Sequence, residues 1–131
     1  MKQINISEPR YSFLEALSCA RVAIKGNFSH DARTHKECIN HLASIFDMDY
    51  TFLLSNGTQA LISVFQFIKE KYGPETRVAI PDITFGATVN AAILTGLKVV
   101  LVDVSSETGL MDEELCIELI KDKKVDVICL V

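Results

Sequence analysis

Four small, hydrogen-bonding residues, Ser55 to Thr58, stand between the apolar pair Leu53-Leu54 and the start of a helical pattern. A helix that begins here would present free backbone N–H groups and the positive end of its dipole. Gly57 would let the backbone approach an anion closely, and the hydroxyls of Ser55 and Thr58 would add donors. The stretch could therefore bind a phosphate monoester. Ordinary turn and cap chemistry explains the same residues, and for this stretch alone it is the more common case.

A second candidate is Phe85, which follows a predicted strand that ends at Pro81. An aromatic ring in a loop at the end of a strand could stack on a flat heterocycle. The alternative is that Phe85 packs in the hydrophobic core, and for an isolated phenylalanine that alternative is favoured. Both interpretations of Phe85 stay open from the sequence pattern.

Other chemical motifs are weak or missing. The chain has no Walker loop and no GxGxxG fingerprint. His35, Cys38 and His41 recur at intervals of three residues, so two of them could share a helix face as metal ligands. Because no fourth ligand is evident, we interpret this segment as an amphipathic helix. The residues alone predict neither a metal site nor a catalytic side chain.

The elements that must position these residues follow from apolar periodicity. Strands are predicted at 51–54, 77–80, 99–104 and 125–131, and helices at 7–24, 31–46, 58–72, 84–94 and 112–121. Gly73 and Gly96 are expected to end two of the helices, and Asp112 to cap the last one. The strands are near-continuous apolar runs, which favours an α/β fold with a mostly parallel sheet and helices on both faces. In such sheets ligands bind beyond the carboxyl ends of the strands.

Length and composition indicate one ordinary globular domain. The chain has 131 residues, 49% of them hydrophobic and 23% charged, with a net charge of −4. This charge argues against a nucleic-acid or anionic-membrane partner. No apolar run is long enough to span a membrane and the N-terminus lacks a signal-peptide core, so we expect a cytoplasmic protein with four reduced cysteines. The chain stops inside an apolar strand, which predicts a truncated longer protein.

Taken in order, several segments resemble one family. They are SNGTQAL, VAIPDITFGATVNAAILTG and VVLVDVSSETGLMDEEL, followed by a final apolar strand. These segments resemble the N-terminal part of the pyridoxal-phosphate-dependent nucleotide-sugar aminotransferases of the DegT–StrS type. The resemblance runs from Phe52 to Val131 and extends more loosely back to Gly26. It implies a helical segment at 1–50 and, at 51–131, an incomplete half of a fold type I aminotransferase large domain.

The resemblance also implies roles for individual residues. Gly57 and Thr58 match the positions that grip the phosphate of pyridoxal 5'-phosphate (PLP), and Phe85 matches the aromatic residue that stacks on its ring. Ser55 and Asn56 match the loop before the phosphate grip, with a weaker expectation of contact.

Other matching positions are interpreted as structural. They comprise a turn residue, a strand-end carboxylate and a helix cap: Thr84, Asp103 and Asp112. The chain departs from the usual pattern at Gln59 and Gly86, and neither departure forbids binding.

The family's lysine that takes the cofactor aldehyde, and its aspartate for the pyridinium nitrogen, lie beyond the equivalent of Val131. We therefore expect this chain alone to be inactive. The complete enzyme would be a homodimer that transfers an amino group, usually from glutamate, to a nucleotide-linked keto-sugar, although some relatives are dehydratases. Two alternatives stay open: a non-catalytic remnant or partner-binding module, and an α/β domain for some other phosphate ligand.

Overall fold

The computed structural model describes residues 11–26 and 33–131. The chain divides into two compact units, Met1–Leu53 and Leu54–Val131. Within the described ranges, no helix combines the length and the apolar character needed to cross a membrane.

The first unit contains two helices, α1 (Phe13–Lys25) and α2 (Arg33–Phe46). Helix α1 begins with a capping box in which the Ser12 hydroxyl accepts from the Glu15 N–H and the Glu15 carboxylate accepts from the Ser12 N–H. Neither helix has a buried residue. The predicted helical residues 7–10, 31 and 32 lie outside the described part of the chain.

The second unit is an α/β layer structure, as the sequence predicts. Its elements alternate along the chain: α3 (Gly57–Tyr72), β1 (Arg77–Pro81), α4 (Gly86–Leu94), β2 (Lys98–Val102), α5 (Glu113–Lys121) and β3 (Val127–Ile128). The three strands are parallel and lie in the order β2-β1-β3. In this register Val78 of the central strand lies beside Val99 on one side and Val127 on the other.

Hydrophobic side chains cover both faces of this sheet. On one face, Val78 and Ile80 pack against Phe65 of α3 and Ala91 of α4. On the other face, Ala79 packs in a cluster that includes Cys116 of α5; both belong to the buried core. Because successive side chains of a strand point to opposite faces, the apolar run of β1 serves both layers.

Two predicted strands differ from the structure. Thr51–Leu54 is not a strand, and Phe52 within it is exposed. A strand is defined by its hydrogen-bonded ladder, and none of the three described strands pairs with this segment. The predicted strand at 125–131 shrinks to β3, because only Val127 and Ile128 lie in register with β1.

The ends of the helices follow the predicted signals. Gly73, with a φ of 97°, ends α3, and Gly96, with a φ of 79°, follows the last turn of α4. The Asp112 carboxylate accepts from the Leu115 N–H at 3.0 Å and caps α5.

The topology brings two loops to one edge of the sheet. Helix α3 leads directly into β1 and packs against it, so the N-terminus of α3 lies towards the carboxyl end of β1. The loop Asp82–Phe85 leaves that same carboxyl end and enters α4. The residues that the sequence singles out, Ser55 to Thr58 and Phe85, therefore belong to one edge of one unit.

Candidate functional site

Asn56 forms the N-cap of α3. Its side-chain oxygen accepts from the Gln59 N–H at 2.9 Å, and its backbone carbonyl accepts from the Ala60 N–H at 3.2 Å. Its side-chain amide donates to the hydroxyl of Ser55 at 3.4 Å. These bonds give Asn56 a structural role at the helix start, because its acceptor oxygen is already used by the helix. A direct contact of Ser55 or Asn56 with a ligand stays a prediction.

Gly57 and Thr58 keep free donors at the same helix start. Among the described residues, no acceptor pairs with the backbone N–H of either one. A Cβ atom built on Gly57 would meet no atom within 4 Å, and the backbone of Gly57 does not have a positive φ. Neither local packing nor backbone conformation explains a glycine at this position. The open space above it admits an external group, and two N–H donors with the helix dipole favour an anion.

Phe85 is 79% exposed, so its ring does not pack in the hydrophobic core of this chain. It occupies the N-cap position of α4, and its side chain supplies no hydrogen bond to the helix. Leaving a phenylalanine ring in water forgoes roughly 1.5–3 kcal/mol of burial free energy. A ring that the core does not use is available to stack on a flat partner at this edge.

Thr84, which precedes Phe85, has a buried hydroxyl without a partner in the described part of the chain. The sequence predicts a structural turn role, and Thr84 does lie in the bend that links β1 to α4. However, its hydroxyl makes none of the hydrogen bonds that hold such a turn together. The sequence gives only a faint signal of the unpaired Thr84 hydroxyl. The next residue, at the N-cap position of α4, is Phe85 and not one of the usual capping residues.

The loop after β2 is structural, as predicted. The Asp103 carboxylate accepts from the Val104 N–H at 2.8 Å, and the Asp103 carbonyl accepts from the Asp112 N–H at 3.0 Å. Both aspartates are therefore engaged in shaping this loop and the start of α5.

Among the described residues, the other potentially reactive groups do not form a metal site. In residues 11–26 and 33–131, no cluster of three or more His, Cys, Asp or Glu side chains could hold a metal ion. All four cysteines are free, and burial raises the pKa of the Cys116 and Cys129 thiols. A raised thiol pKa keeps these two side chains protonated at neutral pH, so neither is an activated nucleophile.

Comparison with known proteins identifies the family. The family model for the DegT/DnrJ/EryC1/StrS aminotransferase family matches residues 14–131. The chain belongs to this family. A search of curated proteins gave no significant match.

A solved structure of another protein has the same fold as this chain. It is described as a DegT DnrJ EryC1 StrS aminotransferase from Brucella abortus, is 24% identical in sequence, and superposes with a TM-score of 0.69. The match covers 86% of this chain and 31% of that chain. The chain thus spans about a third of the length of the Brucella protein. Its α/β unit has the fold of the corresponding part of that protein.

The edge as a whole suits a ligand that joins a phosphate to a flat ring. Gly57 and Thr58 present two unpaired N–H donors at the start of α3, and Phe85 presents an aromatic surface on the neighbouring loop. The space above Gly57 and the unpartnered hydroxyl of Thr84 are both features that the ligand-free chain itself leaves unexplained.

Proposed function

We propose that the chain is the N-terminal part of a PLP-dependent aminotransferase and holds two parts of the cofactor. The observation that supports the proposal most strongly is the pairing of free N–H groups at Gly57 and Thr58 with the exposed ring of Phe85. Membership of an aminotransferase family supplies the reaction class. When bound, PLP supplies an electron sink for carbanion chemistry.

In this proposal the start of α3 binds the phosphate. The backbone N–H groups of Gly57 and Thr58 donate to phosphate oxygens, and the Thr58 hydroxyl adds a third donor. The helix dipole favours the negative charge. Asn56 keeps the first turn of α3 in place by its bond to the Gln59 N–H. Phe85 stacks on the pyridine ring and so orients it, since phosphate binding alone leaves rotation about the phosphate ester free.

The amine that takes the cofactor aldehyde comes from outside this unit in our proposal. The second unit has six lysines, and each lies in the last turn of a helix or beside the start of a strand: Lys69, Lys71, Lys98, Lys121, Lys123 and Lys124. Helices and strands run antiparallel in this α/β unit, so these positions belong to the amino edge of the sheet. Gly57, Thr58 and Phe85 belong to the carboxyl edge. This separation supports the expectation that no lysine of the second unit takes the cofactor aldehyde.

The finer assignments rest on family resemblance. We propose a nucleotide-linked keto-sugar as the amino acceptor, glutamate as the usual donor, a homodimer as the working assembly and the cytoplasm as the location. A dehydratase reaction on the same class of substrate is the alternative within the family. Outside it, the alternative is a partner-binding α/β module without PLP chemistry.

The proposal is tested with pyridoxamine phosphate, which has the ring and phosphate of PLP but no aldehyde to react with surface lysines. We expect the purified chain to bind pyridoxamine phosphate weakly, and to bind pyridoxamine at least tenfold more weakly still. Thr58→Val and Phe85→Ala should each weaken binding about three- to tenfold, as the loss of one hydrogen bond or one aromatic contact predicts. Phe67→Ala, which removes another exposed ring, on α3, is the matched control and should bind like the wild type.

Two results would contradict the proposal. Equal binding of pyridoxamine phosphate and pyridoxamine would mean that the start of α3 does not grip a phosphate. Treatment with PLP and borohydride should modify surface lysines only partially and without preference. Stoichiometric modification of a single lysine would mean that the chain carries its own amine for the cofactor.

A further inference from the structure

The hydroxyl of Thr84 differs from other threonine hydroxyls in the same unit. Thr76 and Thr95 are buried, and their hydroxyls donate to backbone carbonyls of Gly73 and Ala92, each at 2.8 Å. The Thr84 oxygen is also buried, yet it has no hydrogen-bond partner among the described residues. Native proteins leave few such groups, because an unsatisfied buried hydroxyl costs free energy that an apolar side chain would not.

The segment around Thr84 is weakly held. From Ile83 to Phe85, no backbone N–H donates to an acceptor in the described part of the chain. The flanking residues are held: the Asp82 N–H donates to the Val102 carbonyl at 2.9 Å, and the Thr88 N–H donates to the Phe85 carbonyl at 2.9 Å. The turn that carries Phe85 is therefore fixed at its two ends and not between them.

We infer that Thr84 is a positioning residue for Phe85, and that its hydroxyl gains a hydrogen-bond partner only when the cofactor is bound. This inference rests on the proposed function. The hydroxyl oxygen is closed off from bulk solvent in this structure. A small resetting of the 83–85 segment can bring a backbone acceptor to it while Phe85 settles on the cofactor ring. The bound turn is then favoured over the free turn by the hydrogen bond that only the bound turn makes.

The test compares Thr84→Val, Thr84→Ser and Thr95→Val by two measurements, the urea midpoint of the ligand-free chain and the affinity for pyridoxamine phosphate. Valine keeps the shape of threonine and removes the hydroxyl. We expect Thr84→Val to raise the urea midpoint and to weaken binding about three- to tenfold, the range for one neutral hydrogen bond. Thr84→Ser keeps the hydroxyl and should restore the wild-type affinity. Thr95→Val, the control with a satisfied hydroxyl, should lower the midpoint and leave the affinity unchanged.

Three outcomes would overturn the inference. Wild-type affinity in Thr84→Val would show that the hydroxyl has no part in the bound turn. A lower urea midpoint in Thr84→Val would show that the hydroxyl is already paired in the ligand-free chain. A wild-type chain that binds pyridoxamine and its phosphate alike would contradict the proposed function and the role of Thr84 together, whereas the first two outcomes contradict the role of Thr84 alone.

Discussion

Lys69 joins the two helices that carry the candidate site. Its ammonium group, on α3, donates to the backbone carbonyl of Thr95 at the end of α4 over 2.8 Å, and the side chain is partly buried. This carbonyl is one of those that a helix leaves unpaired at its C-terminus, where the dipole also favours a cation. We predict that Lys69→Met destabilises the chain, because methionine keeps the apolar stem and loses only the charged donor.

The size of the effect follows from the geometry. A hydrogen bond from a charged group to a partly buried carbonyl contributes roughly 1.5–3 kcal/mol, and solvent access to Lys69 places it at the lower end of that range. With a urea dependence on the order of 1 kcal/mol/M for a domain of this size, the midpoint should fall by about 1.5 M. Lys71→Met is the control, since the Lys71 ammonium lies over the rings of Phe67 and Tyr72 at 5.9 and 5.0 Å. Its loss should cost less than about 1 kcal/mol.

A double-mutant cycle of Lys69→Met and Gly96→Ala extends this prediction. A Cβ atom at Gly96 would lie 3.2 Å from the Lys69 ammonium nitrogen, and the φ of 79° at this position is strained for any L side chain. In the wild type, Gly96→Ala should cost about 1–2 kcal/mol of strain and should also push Lys69 away from Thr95. In the Lys69→Met background only the strain remains. The two changes should therefore be less than additive, by about 0.5–1 kcal/mol.

Urea unfolding of the four proteins, followed by circular dichroism, measures this coupling. Additivity within about 0.3 kcal/mol would refute the crowding between a Gly96 side chain and the Lys69 ammonium group, because the alanine would then cost the same with or without that group. A cost below about 0.5 kcal/mol for Lys69→Met alone would refute it as well, since that is the level of an exposed surface substitution.

Two further predictions test the ends of the same unit. Asn56→Ala should lower the free energy of unfolding, measured with urea, by about 1 kcal/mol because the α3 cap is lost. Asn56→Asp keeps a capping oxygen and should retain most of the wild-type stability. Equal stability of all three proteins would show that the bond to Gln59 does not matter. Hydrogen bonds from Arg77 lower the pKa of Asp126 below its ordinary value. The pair therefore stabilises the fold above about pH 4, and this stabilisation is lost as the pH falls through the lowered pKa. Asp126→Asn should therefore lose less stability than the wild type or the control Glu107→Gln as the pH falls from about 6 through the ordinary aspartate pKa of about 3.9 and below. Three parallel pH profiles would contradict the assignment.

The features that could be predicted are those with local causes. Asp112 caps α5 because its carboxylate reaches the N–H of a residue three positions on, whatever the rest of the chain does. Gly73 and Gly96 end their helices because their backbones adopt positive φ angles. The alternation of apolar runs with helical patterns likewise determines the layer structure, since each run must bury two faces.

The features that could not be predicted depend on what lies beside them. Thr51–Leu54 has the composition of a strand, but a ladder needs a neighbour and the described strands offer none. Phe85 has the apolar side chain of a typical core residue, and its exposure depends on how the chain packs around it. The state of the Thr84 hydroxyl could not be predicted either. Its burial and its lack of an acceptor arise from the packing of the turn and not from the local sequence.

The starts of the three helices in the second unit differ in a way that directs an anion to one face of the sheet. All three begin at the carboxyl edge, since each leads into a parallel strand. Helix α5 has Asp112 as its cap and two acidic residues in its first turn, so its positive dipole end is already neutralised. Helices α3 and α4 have no acidic residue in the first turn, and they pack together on the opposite face. For the helix starts alone, a phosphate that approaches this edge would therefore be more favourable at α3 or α4 than at α5.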